Sequence, residues 1–131
     1  MEFFSFIQTE CNEEQLIAEL TMESLCDLCP SLEKRLDSTV DRGRYFTLWG
    51  EFEIIRQRIL GGYRFFLPTC QNTLAWTITT GLPPHPSQIT IHATINRTSQ
   101  DSDFIETLED FVQEWKAGLE KRINTPHKPT P

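Results

Sequence analysis

The chain has 131 residues, of which 38% are hydrophobic and 11% aromatic, so we expect a packed core and exclude global disorder. Its 19 acidic residues against 12 lysines and arginines give a formal net charge of −7, which disfavours nucleic acids and anionic membrane surfaces as partners. No stretch approaches the roughly 18 apolar residues of a membrane-spanning helix. These features predict one soluble, cytoplasmic domain over residues 1–123 and a flexible, proline-rich tail at 124–131.

The N-terminal quarter of the domain has the pattern of helices. Apolar residues recur at helical spacing from Leu16 to Leu25, which predicts a helix over residues 12–28. Pro30 suits the first turn of a second short helix that ends near Leu36.

The next segment is ambiguous at its start and helical in its spacing. Residues 45–48 fit either a short strand or the lead-in to a helix. From Trp49 to Leu60, apolar residues fall every three or four positions, which predicts a further helix. Gly61 and Gly62 end it, because glycine adopts positive φ at no steric cost.

The second half of the chain predicts strands followed by a long helix. β-Branched and aromatic residues are concentrated at 63–67, 73–79 and 88–95, which predicts three strands. Residues 103–123 carry an apolar stripe at helical spacing, with acids at the start and bases at the end. The predicted fold class is α+β: an antiparallel three- to four-stranded sheet, N-terminal helices, and a long C-terminal amphipathic helix packed on one face.

Alternation along these strands gives the sheet one apolar face, the natural seat for the C-terminal helix, and one mixed face. The mixed face holds Arg64 and Phe66 beside Thr77 and His92. A solvated sheet face often has this composition, but a peptide groove or a subunit interface would use the same residues. The open edge of such a sheet also invites the addition of another strand.

The charges are unevenly distributed along the chain. Residues 54–100 contain no Asp or Glu but hold Arg56, Arg58, Arg64 and Arg97. Strands are depleted of acids in any case, which explains part of this pattern. The other interpretation is that the arginines receive the carboxylates of a partner, which guanidinium groups bind in bidentate geometry.

The sequence shows no motif for catalysis, for a metal or for a cofactor. The cysteines Cys11, Cys26, Cys29 and Cys70 are predicted to be free thiols of a reducing compartment. The Cys26-x-x-Cys29 pair lacks the second pair of ligands that a zinc site needs. The three histidines are scattered and no glycine-rich phosphate loop is present, so we predict a protein that is not an enzyme.

Part of the chain is similar to a known family. The resemblance runs through residues 49–76, continues over 104–119, and is carried by the run Gly61-Gly62-Tyr63-Arg64-Phe65-Phe66-Leu67-Pro68. These segments resemble the CcmS-type carboxysome assembly chaperones of cyanobacteria, and size, acidity and element order are also similar to type III secretion chaperones. The resemblance implies a homodimeric assembly factor in carbon fixation that binds the C-terminal extension of a carboxysome shell protein.

The function predicted from these observations is therefore a non-enzymatic assembly chaperone that binds a segment of a partner protein. Arg64 and Arg56 would pair with peptide carboxylates, and Phe66 and Trp49 would supply apolar anchors. The remaining predicted binding residues are Thr77 and His92.

Two alternatives stay open. The first is a small-molecule sensor or enzyme whose pocket lies between the sheet and the helix that starts near Trp49, lined by Arg58 or His92. The second is a structural subunit whose mixed face is buried in an oligomer.

Overall fold

The computed structural model describes residues 1–96 and 101–123. A seven-stranded antiparallel sheet packs against one long helix, and two short helices follow the first strand. Along the sheet the strand order is β1-β7-β6-β5-β4-β3-β2, which makes β1 and β2 its edges. The elements in chain order are β1 (Glu2–Gln8), α1 (Glu13–Glu19), α2 (Leu25–Leu28), β2 (Leu32–Ser38), β3 (Arg42–Thr47), β4 (Gly50–Ile59), β5 (Gly62–Phe66), β6 (Ala75–Thr80), β7 (Gln88–Thr94) and α3 (Ser102–Ile123).

The α+β class, the antiparallel sheet and the C-terminal helix are confirmed, but the prediction of three to four strands is wrong. The first of the missed strands is β1, which pairs with β7 from Glu2↔Thr94 to Gln8↔Gln88. This pairing joins the two ends of the sequence. A local pattern carries no information about such a distant partner, and β1 shows no apolar–polar alternation because it has aromatic residues on both faces.

Two segments predicted as helices are strands. Residues after Pro30 form β2, and the residues after Trp49 form the ten-residue β4. The apolar spacing from Trp49 onward suits a helix, yet the first half of β4 pairs with β3 and the second half pairs with β5. Tertiary pairing outweighs weak local periodicity here. The ambiguous residues 45–47 belong to β3.

The predicted helix over residues 12–28 is two helices separated by a break. Asn12 and Gln15 form a capping box at the start of α1, in which each side chain accepts a hydrogen bond from the other backbone N–H, at 2.8 and 2.9 Å. The helix ends at Leu20, and the Ser24 hydroxyl donates to the Glu19 carbonyl at 2.6 Å. That bond satisfies a carbonyl at the end of α1 and turns the chain towards α2.

The two faces of the sheet are as predicted. The apolar face packs against α3, with Phe65, Trp76 and Ile91 buried beneath Phe111 and Trp115 of the helix. The opposite side, here called the outer face, bears the alternate residues of each strand. The period-2 pattern of the strands and the 3.6-residue period of α3 therefore place the core correctly.

The C-terminal half of α3 is fixed by α2 and the turn that follows it. Gly118 lies so close to α2 that a Cβ there would be 2.0 Å from the Leu28 carbonyl oxygen. The Glu114 carboxylate accepts the backbone N–H of Ser31 at 2.7 Å, and Arg122 pairs with Glu19 at 3.0 Å. We call this region, residues 28–31 with 114–122, the clamped end of α3.

Within residues 1–96 and 101–123, no helix combines the length and the apolar character that crossing a bilayer requires. Arg97 and the predicted tail at 124–131 lie outside the described residues.

Candidate functional site: a cavity at the N-terminal end of α3

A cavity of about 280 Å³ opens where the start of α3 meets two connections of the sheet. One wall is the β3–β4 turn and the start of β4, and the other is the connection between β5 and β6. The first turn of α3 closes the third side. The lining residues are Trp49, Phe52, Leu67, Thr69, Cys70, Gln71, Asn72, Leu74 and Phe104, and we call this region the open end of α3.

Trp49 links the β3–β4 turn to α3. Its indole N–H donates to the Thr107 hydroxyl at 3.0 Å, and its ring packs edge-on against Phe104 and Phe111 at centroid distances of 6.3 and 5.4 Å. The backbone N–H of Trp49 also donates to Thr47 Oγ1 at 3.1 Å, which fixes the turn that carries it. Trp49 is thus both a wall of the cavity and the contact that holds α3 over it.

The opposite wall is a short, neutral loop whose backbone is well ordered by hydrogen bonds. The N–H of Cys70 donates to the Leu67 carbonyl at 3.1 Å, and the N–H of Thr73 donates to the Cys70 carbonyl at 3.0 Å. Asn96, just after β7, donates its N–H to the Asn72 carbonyl at 3.0 Å. The loop therefore presents hydroxyl, thiol and amide groups at the rim of the cavity, above the apolar floor formed by Leu67 and Leu74.

Aromatic rings fill the space between the sheet and α3 behind the cavity. Phe65 stacks on Trp76 at 5.4 Å, and Phe111 meets Trp76 edge-on at 4.9 Å, with Trp115 beside them. Neither indole N–H of Trp76 and Trp115 has an acceptor in the described part of the chain. The cluster thus confines the cavity to the open end and holds two unused hydrogen-bond donors.

None of the described residues lining this cavity is charged. A larger groove of about 370 Å³ lies near the other end of α3, but its lining includes the charged residues Glu10, Glu19 and Arg122. Because Arg122 there already pairs with Glu19, we regard the apolar cavity as the better candidate for a ligand site.

Trp49 is the one predicted site residue that lines the cavity. The other apolar wall residues were assigned to the core or to a predicted helix. The loop of residues 69–72 was interpreted only as a hairpin connection. A short polar loop between two strongly apolar strands is only a weak indication of a binding site. Its sequence also does not identify the α3 residue that it faces.

Arg56 does not join the predicted binding face. Its guanidinium group is buried on the α3 side of the sheet, where it donates to the Leu20 carbonyl at 2.8 Å and pairs with Asp41 at 3.0 Å. It also lies 4.2 Å over the Tyr63 ring. Arg56 and Arg64 therefore occupy opposite faces, and the prediction that they act together on a peptide is wrong.

Arg58 is likewise engaged within the chain. It pairs with Glu13 at 2.5 Å, and the second oxygen of that carboxylate accepts the N–H of Gly61 at 2.9 Å. The Arg58 hydrogen bond lowers the pKa of Glu13 below its ordinary value. Two arginines of the acid-free residues 54–100 therefore pair with carboxylates of this same chain, those of Asp41 and Glu13. Arg58 does not line the cavity.

The remaining predicted residues lie on the outer face. The Arg64 guanidinium rests 4.6 Å over the Phe66 ring and donates to Gln57 at 2.9 Å, with no carboxylate partner among the described residues. His92 stacks on Phe4 at 4.3 Å and contacts the Glu2 carboxylate at 2.9 Å. Thr77 lies directly between Arg64 and His92 in the register of β5, β6 and β7.

The cysteines are free thiols, as predicted. Burial, and then the neighbouring Glu114, raise the pKa of Cys29 well above its ordinary 9.0, so this thiol stays protonated at neutral pH. Burial raises the pKa of Cys26 as well. Among residues 1–96 and 101–123, no group of three or more His, Cys, Asp or Glu side chains is placed to hold a metal ion.

No protein-family model matches the sequence, and no curated protein matches it significantly. Solved structures share the fold at low identity. The protein XoxI from Bacillus cereus superposes with a TM-score of 0.66 at 11% identity, covering 95% of this chain and 96% of that chain. A START superfamily protein from Mycobacterium smegmatis gives 0.65 at 9% identity over 94% and 97%. A protein from Mesorhizobium loti gives 0.66 at 14% identity over 96% and 98%.

At these identities the likeness establishes the fold, a sheet packed on a C-terminal helix over nearly the whole chain. The prediction of an assembly chaperone is wrong: it is contradicted by this fold, which is shared with a START superfamily protein. The small-molecule alternative placed its pocket near Trp49, although the residues after Trp49 form a strand rather than a helix. The resemblance to carboxysome chaperones is untested by these structures and stays a prediction.

Proposed function

We propose that this protein binds a small, uncharged, largely apolar molecule in the cavity at the open end of α3. The observation that carries the proposal is the lining itself, in which Trp49, Phe52 and Phe104 supply aromatic surface and no side chain carries a charge. Apolar pockets with a few polar groups at one side are typical of small-molecule sites. The START superfamily protein of the same fold supports this class of function.

The volume limits the ligand. A cavity of 280 Å³ holds a molecule of about ten non-hydrogen atoms, given that one water takes up about 30 Å³ in the liquid. A carboxylate or phosphate would lose its hydration there without meeting a cation, so a charged ligand is disfavoured. The hydroxyl and amide groups of the loop at the rim favour a ligand with one oxygen or nitrogen acceptor.

We propose binding without catalysis. The described residues of the lining include no acid, no histidine and no lysine, and their one nucleophile is the Cys70 thiol. Proton transfer by a positioned side chain is therefore left to the Cys70 thiol alone, with no acid, histidine or lysine of the described lining to assist it. A transport, storage or sensing role fits this lining.

The alkylation rate of Cys70 tests the site. Cys70 lines the cavity and is partly exposed. Cys26 is also partly exposed but lies in α2, away from the cavity, so it serves as an internal control. With indole as the probe, iodoacetamide labelling measured by peptide mass spectrometry should slow at Cys70 and stay constant at Cys26. Indole-3-carboxylate, which has the same ring system and one negative charge, should protect Cys70 at least tenfold less well.

Equal protection of both thiols, or no protection of Cys70 at saturating indole, would refute the assignment of this cavity. Protection by the carboxylate as strong as that by indole would refute the uncharged ligand class and leave the cavity assignment intact.

A further inference from the structure

The two edges of the sheet differ in how they are protected against pairing with another chain. Edge strand β2 shows register shifts between Leu32 and Lys34 and between Arg35 and Asp37, and it exposes charged side chains. Bulges and edge charges of this kind prevent the addition of further strands. Edge strand β1 has no bulge, and its one charged residue, Glu2, lies at its first position.

β1 is a regular strand with exposed aromatic residues. All seven residues of β1 pair with β7 in one uninterrupted register. On the outer face Phe4 and Phe6 are 45% and 46% exposed, and their rings stack at 5.9 Å. An exposed, flat and apolar edge strand is the kind that pairs with another strand.

The hydrogen-bond pattern shows which groups face the open edge. Met1 accepts the N–H of Ile95 at 3.1 Å, and Thr9 donates its N–H to Ser87 at 3.1 Å. In an antiparallel ladder these bonded positions alternate, so the odd-numbered residues of β1 bond to β7. The backbone N–H and C=O groups of residues 2, 4, 6 and 8 therefore point outward, where no strand of the described chain pairs with them.

We propose that β1 pairs antiparallel with β1 of a second copy, which joins two sheets into one across a two-fold axis at Ser5. In a two-fold interface, if a residue of one copy meets a different residue of the second copy, the reverse contact also forms, and only a residue on the axis meets its own counterpart. Centring the axis on Ser5 overlaps the two β1 strands over their full length. It also sets even-numbered residues opposite even-numbered residues, so that their outward N–H and C=O groups can form hydrogen bonds with each other. Phe4 then faces Phe6 of the second copy, and Glu2 faces Gln8, so no like charges oppose each other within the strand pair.

The Ser5 side chain gives independent support for this axis. Ser5 is 3% exposed, and its hydroxyl has no hydrogen-bond partner in the described part of the chain. In the proposed pairing, Ser5 meets Ser5 of the second copy at a non-hydrogen-bonded position, where Cα atoms lie about 4.5 Å apart. The hydroxyl is covered in the single copy, and a rotation about the Cα–Cβ bond turns it towards the other copy, so that each hydroxyl acquires the other as a partner.

One feature opposes association. A groove beside β1 is lined by Glu2 and Phe4 together with Glu109 and Asp110 of α3. Two-fold pairing brings Glu109 and Asp110 of both copies to the α3 side of the joined sheet, and Glu2 of both copies to its outer face. The proposed dimer should therefore tighten as salt is added, because salt screens like charges at exposed positions.

Sedimentation equilibrium of the full chain tests the proposal. The mass should rise with concentration from 15.2 kDa toward twice that value, and more readily at high salt. Phe6→Lys, which puts a charge on the free edge, should remain monomeric. Phe46→Lys is the matched control, because Phe46 is 44% exposed on the outer face of β3, away from the edge. Circular dichroism checks that both variants fold.

Cross-linking tests the register itself. Ser5→Cys places two thiols across the axis at a separation that a disulfide spans. Mild oxidation should convert this variant to a covalent dimer, whereas the native chain with its four cysteines should not cross-link. A chain that stays monomeric at millimolar concentration, or dissociation by Phe46→Lys but not by Phe6→Lys, would overturn the proposal. A dimer that persists without Ser5→Cys cross-linking would exclude this axis. These outcomes do not depend on ligand binding in the cavity.

Discussion

The two ends of α3 are held in different ways. At the clamped end, Gly118 lets the helix touch the α2 backbone, the Glu114 carboxylate takes the Ser31 N–H, and Arg122 pairs with Glu19. At the open end, the helix meets the sheet through aromatic rings and one side-chain hydrogen bond from Trp49 to Thr107. Backbone contact and charged groups hold the clamped end, whereas side chains alone hold the open end.

This difference suits the ligand binding that we propose. At Gly118 the backbones of α2 and α3 are so close that a Cβ atom would not fit between them. The clamped end therefore leaves no room for adjustment and keeps α3 in place. Aromatic side chains can change rotamer without moving the backbone, so the open end can admit a ligand while the rest of the helix stays fixed. The following four predictions test that contrast, from the largest expected effect to the smallest.

Gly118→Val should have the largest effect on stability. A Cβ at this position would lie 2.0 Å from the Leu28 carbonyl oxygen, so α2 and α3 must separate. We expect a loss of about 3 kcal/mol in the free energy of unfolding, measured by urea denaturation. Ala117→Val, on the exposed side of the same helix, is the control and should cost well under half as much. Equal losses would show that the clamp is not a close backbone contact.

Arg56→Met should cost about 2 kcal/mol, because the buried Leu20 carbonyl loses its donor and Asp41 loses its partner. Arg64→Met makes the same change on the outer face and should cost less than about 0.5 kcal/mol. Thermal unfolding of the two variants at equal salt gives the comparison. A larger loss at Arg64 would contradict the separation of the two arginines by face.

Trp49→Phe should cost only about 1 kcal/mol of stability, since it removes one hydrogen bond to Thr107 and keeps an aromatic ring. Its effect on indole binding should be larger than its effect on unfolding, because Trp49 is a wall of the cavity. Calorimetric titration of the variant and the native chain measures this. The control is Leu60→Ala, a residue 80% exposed in the turn after β4, which should leave indole affinity unchanged.

Glu13→Gln should give the smallest effect and a characteristic pH dependence. The hydrogen bond from Arg58 lowers the pKa of Glu13 below 4.5, so this carboxylate stabilises the fold above that pH. The contribution is lost as the pH falls through the depressed pKa. The stability difference between the native chain and the variant should therefore be constant near neutral pH and shrink below about pH 4.5. Glu14→Gln, which removes a charge from the next position and leaves the Arg58–Glu13 pair intact, is the control variant.

Regular local patterns were enough to predict the second half of the fold. The alternation of Phe65, Trp76 and Ile91 placed the apolar face, and the stripe through Phe111 and Trp115 placed α3 upon it. Both predictions hold because the periods 2 and 3.6 follow directly from backbone geometry. The same reasoning failed for β4, where Trp49, Phe52 and Ile55 have helical spacing by chance and the neighbours on both sides impose a strand.

The candidate site was predicted only in part. Trp49 was identified as a binding residue, and the alternative prediction of a pocket nearby agrees with the cavity in the structure. Its partners Thr69 and Phe104 come from segments 20 and 55 positions further along the chain, and only folding brings them together. Arg56 and Arg64 show the converse, since they are close in sequence and separated by the sheet.

The sequence by itself determined the composition of the core, the long helix, the central strands and the two faces of the sheet, because these depend on contacts between near neighbours and on the periodicity of the backbone. Only the tertiary structure decided that β1 completes the sheet, which arginines meet carboxylates of their own chain, and where space remains beside α3. Each of those depends on contacts between segments that are far apart in the sequence, and local periodicity does not reveal such contacts.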